Sequence, residues 1–169
     1  MAPHQGDYYV VDRAMVALAV AVNLLVAAMF LGRAREARRA NLAGWVAAAL
    51  AVPVGAIAIW NLVARRPWWM VVLPGLYVAY AVVELVLDGI LKVDFRRSRL
   101  LAPYLVTYYV GLLGLVGYAF GIGEVEGFAA LAAYLVCLAI TGYSYRRVGH
   151  GVGSGSEVER TAPGQFIVE

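Results

Sequence analysis

Lysine is nearly missing from this chain: Lys92 is the only one among fourteen basic residues. Cysteine also occurs once, at Cys137, so no intrachain disulfide framework is available and the redox compartment stays open. The two histidines, His4 and His150, sit towards the ends of the sequence. With one thiol and no internal imidazole, the interior lacks the usual ligands for zinc or haem, and no metal or other cofactor is expected. Missing too are a phosphate-binding glycine loop, an HExxH metal motif and any nucleophile–base pair. No catalytic residue can be assigned, and an enzyme is the least favoured class. Charge is the last scarcity. It amounts to 15% of residues, where soluble domains carry about 25%, and too little polar surface remains to coat a water-soluble fold.

What is present is apolar: 63% of the 169 residues are hydrophobic, and the mean hydropathy is +0.74. The chain reads as an all-α, polytopic integral membrane protein, a bundle of five transmembrane helices. A bilayer core of ~30 Å needs about 20 apolar residues in a helix. Five stretches qualify, at 14–31, 42–64, 70–93, 100–122 and 128–145. Charged or turn-forming breaks separate them at 33–39, at Arg65-Arg66-Pro67, at 94–99 and at 123–127. Connections this short make consecutive helices antiparallel neighbours. The membrane domain covers 1–147. A Gly/Ser-rich cytoplasmic tail follows at 148–169, flexible through GVGSGS, with Phe166 and Ile167 able to dock.

Direction follows from the basic residues. One side collects Arg33, Arg35, Arg38, Arg39, Lys92, Arg96, Arg97, Arg99, Arg146, Arg147 and Arg160, and the other holds only Arg13, Arg65 and Arg66. That asymmetry places the N-terminus outside and the C-terminus in the cytoplasm. The expected location is the cell membrane, and the arginine-, alanine- and valine-rich usage matches a GC-rich prokaryotic genome. Asp7 and Asp12 precede the first apolar run and the positive cluster follows it, which is opposite to a cleaved secretion signal. Trp45, Trp60, Trp68, Trp69, Tyr8 and Tyr9 fall near span ends, where amphipathic rings favour the headgroup layer. Five spans, this length and the tripeptide Pro67-Trp68-Trp69 resemble the translocator family of tryptophan-rich membrane proteins. In that family the tryptophan–proline loop follows the first span. Here it follows the second, without the flanking prolines, and membership is not assigned.

Glu84 and Asp88 interrupt the apolar rule deep in the third span. A central acid costs about 2.5–3.5 kcal/mol on insertion scales, and each Val, Leu or Ile gains about 0.3–0.6. The thirteen such residues of 70–93 gain roughly 4–8 kcal/mol, which two central acids nearly cancel. Such a helix must turn its acidic face towards partners or water. Tyr77, Tyr80, Glu84 and Asp88 share that face. Measured from the cytoplasmic ends at ~1.5 Å per residue, Glu84, Asn23, Thr107, Tyr108, Tyr109 and Cys137 all lie about 10–14 Å deep. Tyr104 and Tyr118 on the fourth span and Tyr134 and Thr141 on the fifth add to the stripes. The pattern predicts an inner-half polar pocket around Glu84. Asp88, Asn23, Tyr77, Tyr80, Thr107 and Tyr108 join it as ligand-binding or proton- or cation-responsive residues.

A plainer reading stands beside each of these. Asp88 precedes Lys92 by four residues, and both can snorkel to headgroups. Glu84, protonated by burial, could bond Tyr80, Asn23 or Tyr108 as glue between helices, although such bonds average only ~0.6 kcal/mol. Asn61, beside Trp60 and Arg65, is expected to cap a helix or meet headgroups. Gly111, Gly114, Gly117 and Gly121 form a ridge for close helix approach, within the chain rather than between chains. Arg33, Arg35, Arg38, Arg39, Arg96, Arg97 and Arg99 suit anionic headgroups, so membrane lipids are the expected partners; a homo-oligomer or larger membrane complex is a further option, and nucleic acid is not expected. Two functions follow. One is binding or translocation of a small molecule, lipid or cation at Glu84. The other is a non-catalytic accessory or structural membrane subunit whose polar layer only specifies packing.

Overall fold

The computed structural model describes residues 5–33, 37–90 and 101–148. The tail at 149–169, including Arg160, lies outside the described residues, as do Arg35, Lys92, Arg96, Arg97 and Arg99. For Arg33, Arg38, Arg39 and Asp88 only the backbone is described.

The described residues are helical, without a strand among them. Five segments are long and apolar enough to cross a membrane: Tyr8–Gly32, Leu42–Val63, Trp69–Leu87, Ala102–Ile122 and Glu124–Arg147. The first and last begin earlier than their apolar runs, through Asp12, Arg13 and Glu126. These charges do not end the helices because each is paired: Asp12 with Arg66, and Arg13 with Glu126.

Helix α1 (Gln5–Arg33) leads to α2 (Ala37–Ala49) and α3 (Ala51–Val63), which together make the second segment. The step between them at Leu50 has a cause three residues on. Pro53 has no N–H to give the carbonyl of Ala49, so the ladder loosens there. Leu50 N–H is shared between the carbonyls of Val46 and Ala47 at 3.1 Å each. Helix α3 ends in a Schellman turn, with Arg66 N–H on the carbonyl of Asn61 (3.0 Å) and Arg65 N–H on that of Leu62 (3.1 Å). Such a turn needs a left-handed residue, and Arg65 supplies it with φ 54°. Helix α4 (Trp69–Glu84) runs into a π-helical turn, Leu85–Ile90. Helix α5 (Leu101–Ile122) and helix α6 (Glu124–Val148) complete the chain. Acids in the first turn of α6 and Arg146 and Arg147 in its last complement the helix dipole.

The helices close into a ring. Helix α1 packs on α2 and α6, α3 on α4, α4 on α5, and α5 on α6, while α1 also touches α5 across the middle. One end of the bundle carries Asp12, Asn61, Arg66 and Tyr118; the other carries Glu84 and Tyr104. They are called here the Arg66 end and the Glu84 end. Met15, Val22, Val54, Tyr77, Leu112 and Leu115 are fully buried between them. The outside is studded with exposed apolar side chains such as Leu24, Ile59, Val72, Val106 and Leu135. The glycine ridge faces α4 of the same chain. A Cβ on Gly114 would collide with the carbonyl of Leu73, and one on Gly111 would sit 3.2 Å from the Cα of Tyr77. Small residues let the two backbones approach.

Candidate functional site

Helix α4 delivers Tyr77, Tyr80 and Glu84 to one side by α-helical spacing, and α5 opposes them with Tyr104 and Tyr108. The hydroxyl of Tyr80 donates to Oε2 of half-buried Glu84. It also lies 3.4 Å from the hydroxyl of Tyr104. Around this pair the rings form a continuous cluster. Tyr80 meets Tyr77, Tyr104 and Tyr108 with centroids 6.2, 5.9 and 5.3 Å apart. Phe30 from α1 extends it through an edge contact to Tyr108. A second polar string starts where Tyr108 leaves off. Its hydroxyl is 3.6 Å from Sγ of Cys137, which is 4.0 Å from the hydroxyl of Thr141.

Of the pocket read from the sequence, Glu84, Tyr80 and Tyr108 are thus gathered into one aromatic-walled group. Tyr77 lends it only its ring. Its hydroxyl donates to the carbonyl of Ala47 at 2.6 Å, beside the break between α2 and α3. Thr107 bonds its own helix, at the carbonyl of Pro103. Asn23 is fully buried and likewise donates to its own helix, at the carbonyl of Ala19 (2.8 Å). Its Oδ1 is the buried side-chain oxygen without a partner among the described residues. Asp88 lies on the π-helical turn, so the α-helical spacing that aligned it with Glu84 stops at Glu84. Such turns recur at functional sites.

A second constellation at the Arg66 end was not anticipated. Both terminal nitrogens of the Arg66 guanidinium donate to Asp12, Nη1 to Oδ1 at 2.6 Å and Nη2 to Oδ2 at 2.9 Å. Tyr118 donates to the same carboxylate at 2.9 Å. The two side chains are only 10% and 13% exposed. Hydrogen bonding to Asp12 holds the guanidinium above the ordinary arginine value. The ring of Tyr8 lies under it at 4.8 Å.

Asn61 completes the group and corrects an expectation. Instead of meeting headgroups it is fully buried. Its amide nitrogen donates to the carbonyl of Met70 (3.0 Å) and to Tyr118 (3.3 Å), and its oxygen accepts from Arg66 (3.2 Å). The Met70 carbonyl is the one that Pro74, four residues on, leaves without an N–H donor. Asn61 replaces the bond that proline removes. Trp69, expected in the belt, packs edge-on against Tyr118. The usable signal was the thin charge at this end. Isolated acids and bases in an apolar chain are found paired when buried.

Comparisons with protein families, curated proteins and solved structures give no match to this chain.

Proposed function

We propose that this chain is a multi-pass protein of the cell membrane that binds a small cation, or a cationic small molecule or lipid, at Glu84. In this reading the N-terminus faces outward, and the Glu84 end, with its arginine-rich connections, faces the cytoplasm. The observation that carries the proposal is the carboxyl of Glu84 taking the Tyr80 hydroxyl inside a wall of tyrosine rings. A carboxylate supplies charge and aromatic faces attract cations. An acid in an otherwise apolar helix costs more than a tyrosine bond returns.

The accessory-subunit reading has an observation of its own. Tyr77, Thr107 and Asn61 bond backbone carbonyls, a structural use of polar groups. Titrating the detergent-purified protein with sodium, potassium and tetramethylammonium chlorides separates the two, read by tyrosine fluorescence. A saturable change present in wild type and lost in Glu84→Gln is expected. If no salt gives a saturable change, or if Glu84→Gln behaves like wild type, the site is packing and the accessory reading replaces it.

A further inference from the structure

The turn between α3 and α4 calls for glycine at position 65, and the chain keeps an arginine there. Arg65 is the non-glycine residue with positive φ among the described residues. Glycine takes this conformation freely, whereas a side chain pays for it. The Schellman bonds fix the conformation through Leu62 and Asn61, so the penalty is not relieved by a shift of the turn. What the side chain does is therefore the question.

Its surroundings answer in terms of charge. The Arg66 end holds three described bases. Arg13 is paired with Glu126 and Arg66 with Asp12. The Arg65 side chain is exposed and makes no hydrogen bond or ion pair with any described residue. In sequence it lies between two exposed indoles, Trp60 at 49% and Trp68 at 74%, and Tyr9 is also exposed at this end at 61%. Indole and phenol rings favour the headgroup layer, where a phosphate is the nearest available anion.

We infer that Arg65 is a headgroup contact, holding the phosphodiester of an anionic lipid in the leaflet at the Arg66 end. This rests on the membrane reading above but not on Glu84. Guanidinium donates two parallel hydrogen bonds to phosphate oxygens, and the flanking indoles set its depth.

The test uses the full chain in vesicles, with Trp45→Phe so that the remaining tryptophans all lie at this end. Quenching by brominated phosphatidylglycerol is compared with quenching by brominated phosphatidylcholine. The expected preference for the anionic lipid is about fivefold, the effect of one basic residue near a charged surface. Arg65→Gly should bring the ratio to one while leaving the thermal midpoint in neutral detergent unchanged or higher. That opposite pair of effects is what a merely structural arginine would not produce. An Arg65→Gly protein that keeps the preference overturns the inference, as does one that loses stability in neutral detergent. Loss of the preference in excess inorganic phosphate would assign the site to the free anion and also overturns it. Protein that fails to float with the vesicles sinks the membrane reading and this inference together; protein that floats without a preference sinks the inference alone.

Discussion

The two ends of this bundle use the same polar vocabulary to different effect. At the Arg66 end, Asp12, Asn61, Arg66 and Tyr118 bond one another at 2.6–3.3 Å. They draw on α1, α3, α5 and the turn before α4, and Asn61 also mends the backbone of α4. At the Glu84 end only the bond from Tyr80 to Glu84, within α4, is short, and the contacts that cross between helices are longer: 3.4 Å between Tyr80 and Tyr104, and 3.6 Å from Tyr108 to Cys137. Short, mutual bonds in a dry interior hold elements together, because each partner removed strands another. Longer hydroxyl contacts among rings can rearrange at small cost. The first end is cross-bonded between four elements, whereas the second is joined across helices mainly by ring packing.

The sharpest way to break this contrast is Arg66→Ala. It strands the Asp12 carboxylate, and losing one partner of a buried pair costs about 3–5 kcal/mol. Unfolding of the detergent-solubilised protein should show that loss. A cost below that of substitutions at Glu84 would reverse the comparison. Next comes Asn61→Leu, expected to cost about 1–3 kcal/mol because the Met70 carbonyl and Tyr118 lose their donor. Here a second substitution sharpens the argument. Pro74→Ala restores an N–H to that carbonyl, so it should recover part of the loss in the Asn61→Leu protein. In the wild-type background it should recover nothing comparable, and a double-mutant cycle measures the difference. The smallest effect belongs to the Glu84 end. Tyr80→Phe removes the bond to Glu84 within α4 and the contact with Tyr104 across to α5, and should cost about 0.5–1.5 kcal/mol. A loss several times larger would mean that this end is as interlocked as the other.

Much of the helical layout was legible because apolar length is a strong signal. The segments at 42–64 and 100–122 fall within two residues of the helices seen, since Arg65 and the residues before Leu101 interrupt nothing that packing could repair. The glycine ridge was legible too, because helical spacing put Gly111, Gly114 and Gly117 on one face. The start of the first segment was not. Asp12 and Arg13 look like the end of an apolar run unless their distant partners, Arg66 and Glu126, are known. Asn61 was hidden for the same reason: its role depends on a carbonyl that only Pro74 exposes, thirteen residues later in the chain. The cluster around Glu84 was half legible. Spacing aligned Tyr80 with Glu84 on one helix, but it could not say that the hydroxyls of Tyr77 and Thr107 would turn to backbone carbonyls. Nor could it foresee that α-helical geometry would stop at Glu84.

The π-helical turn after Glu84 has a consequence for chain length. Bonds from residue i to i+5 take up one residue more than the i to i+4 bonds of ordinary helix. Deleting a single residue between 85 and 90 would therefore let this stretch wind as plain α-helix. The same deletion in the middle of α5 would swing the glycines off α4 and destroy the contact. A one-residue change in length is thus best absorbed directly behind Glu84, where the helix can exchange π for α winding.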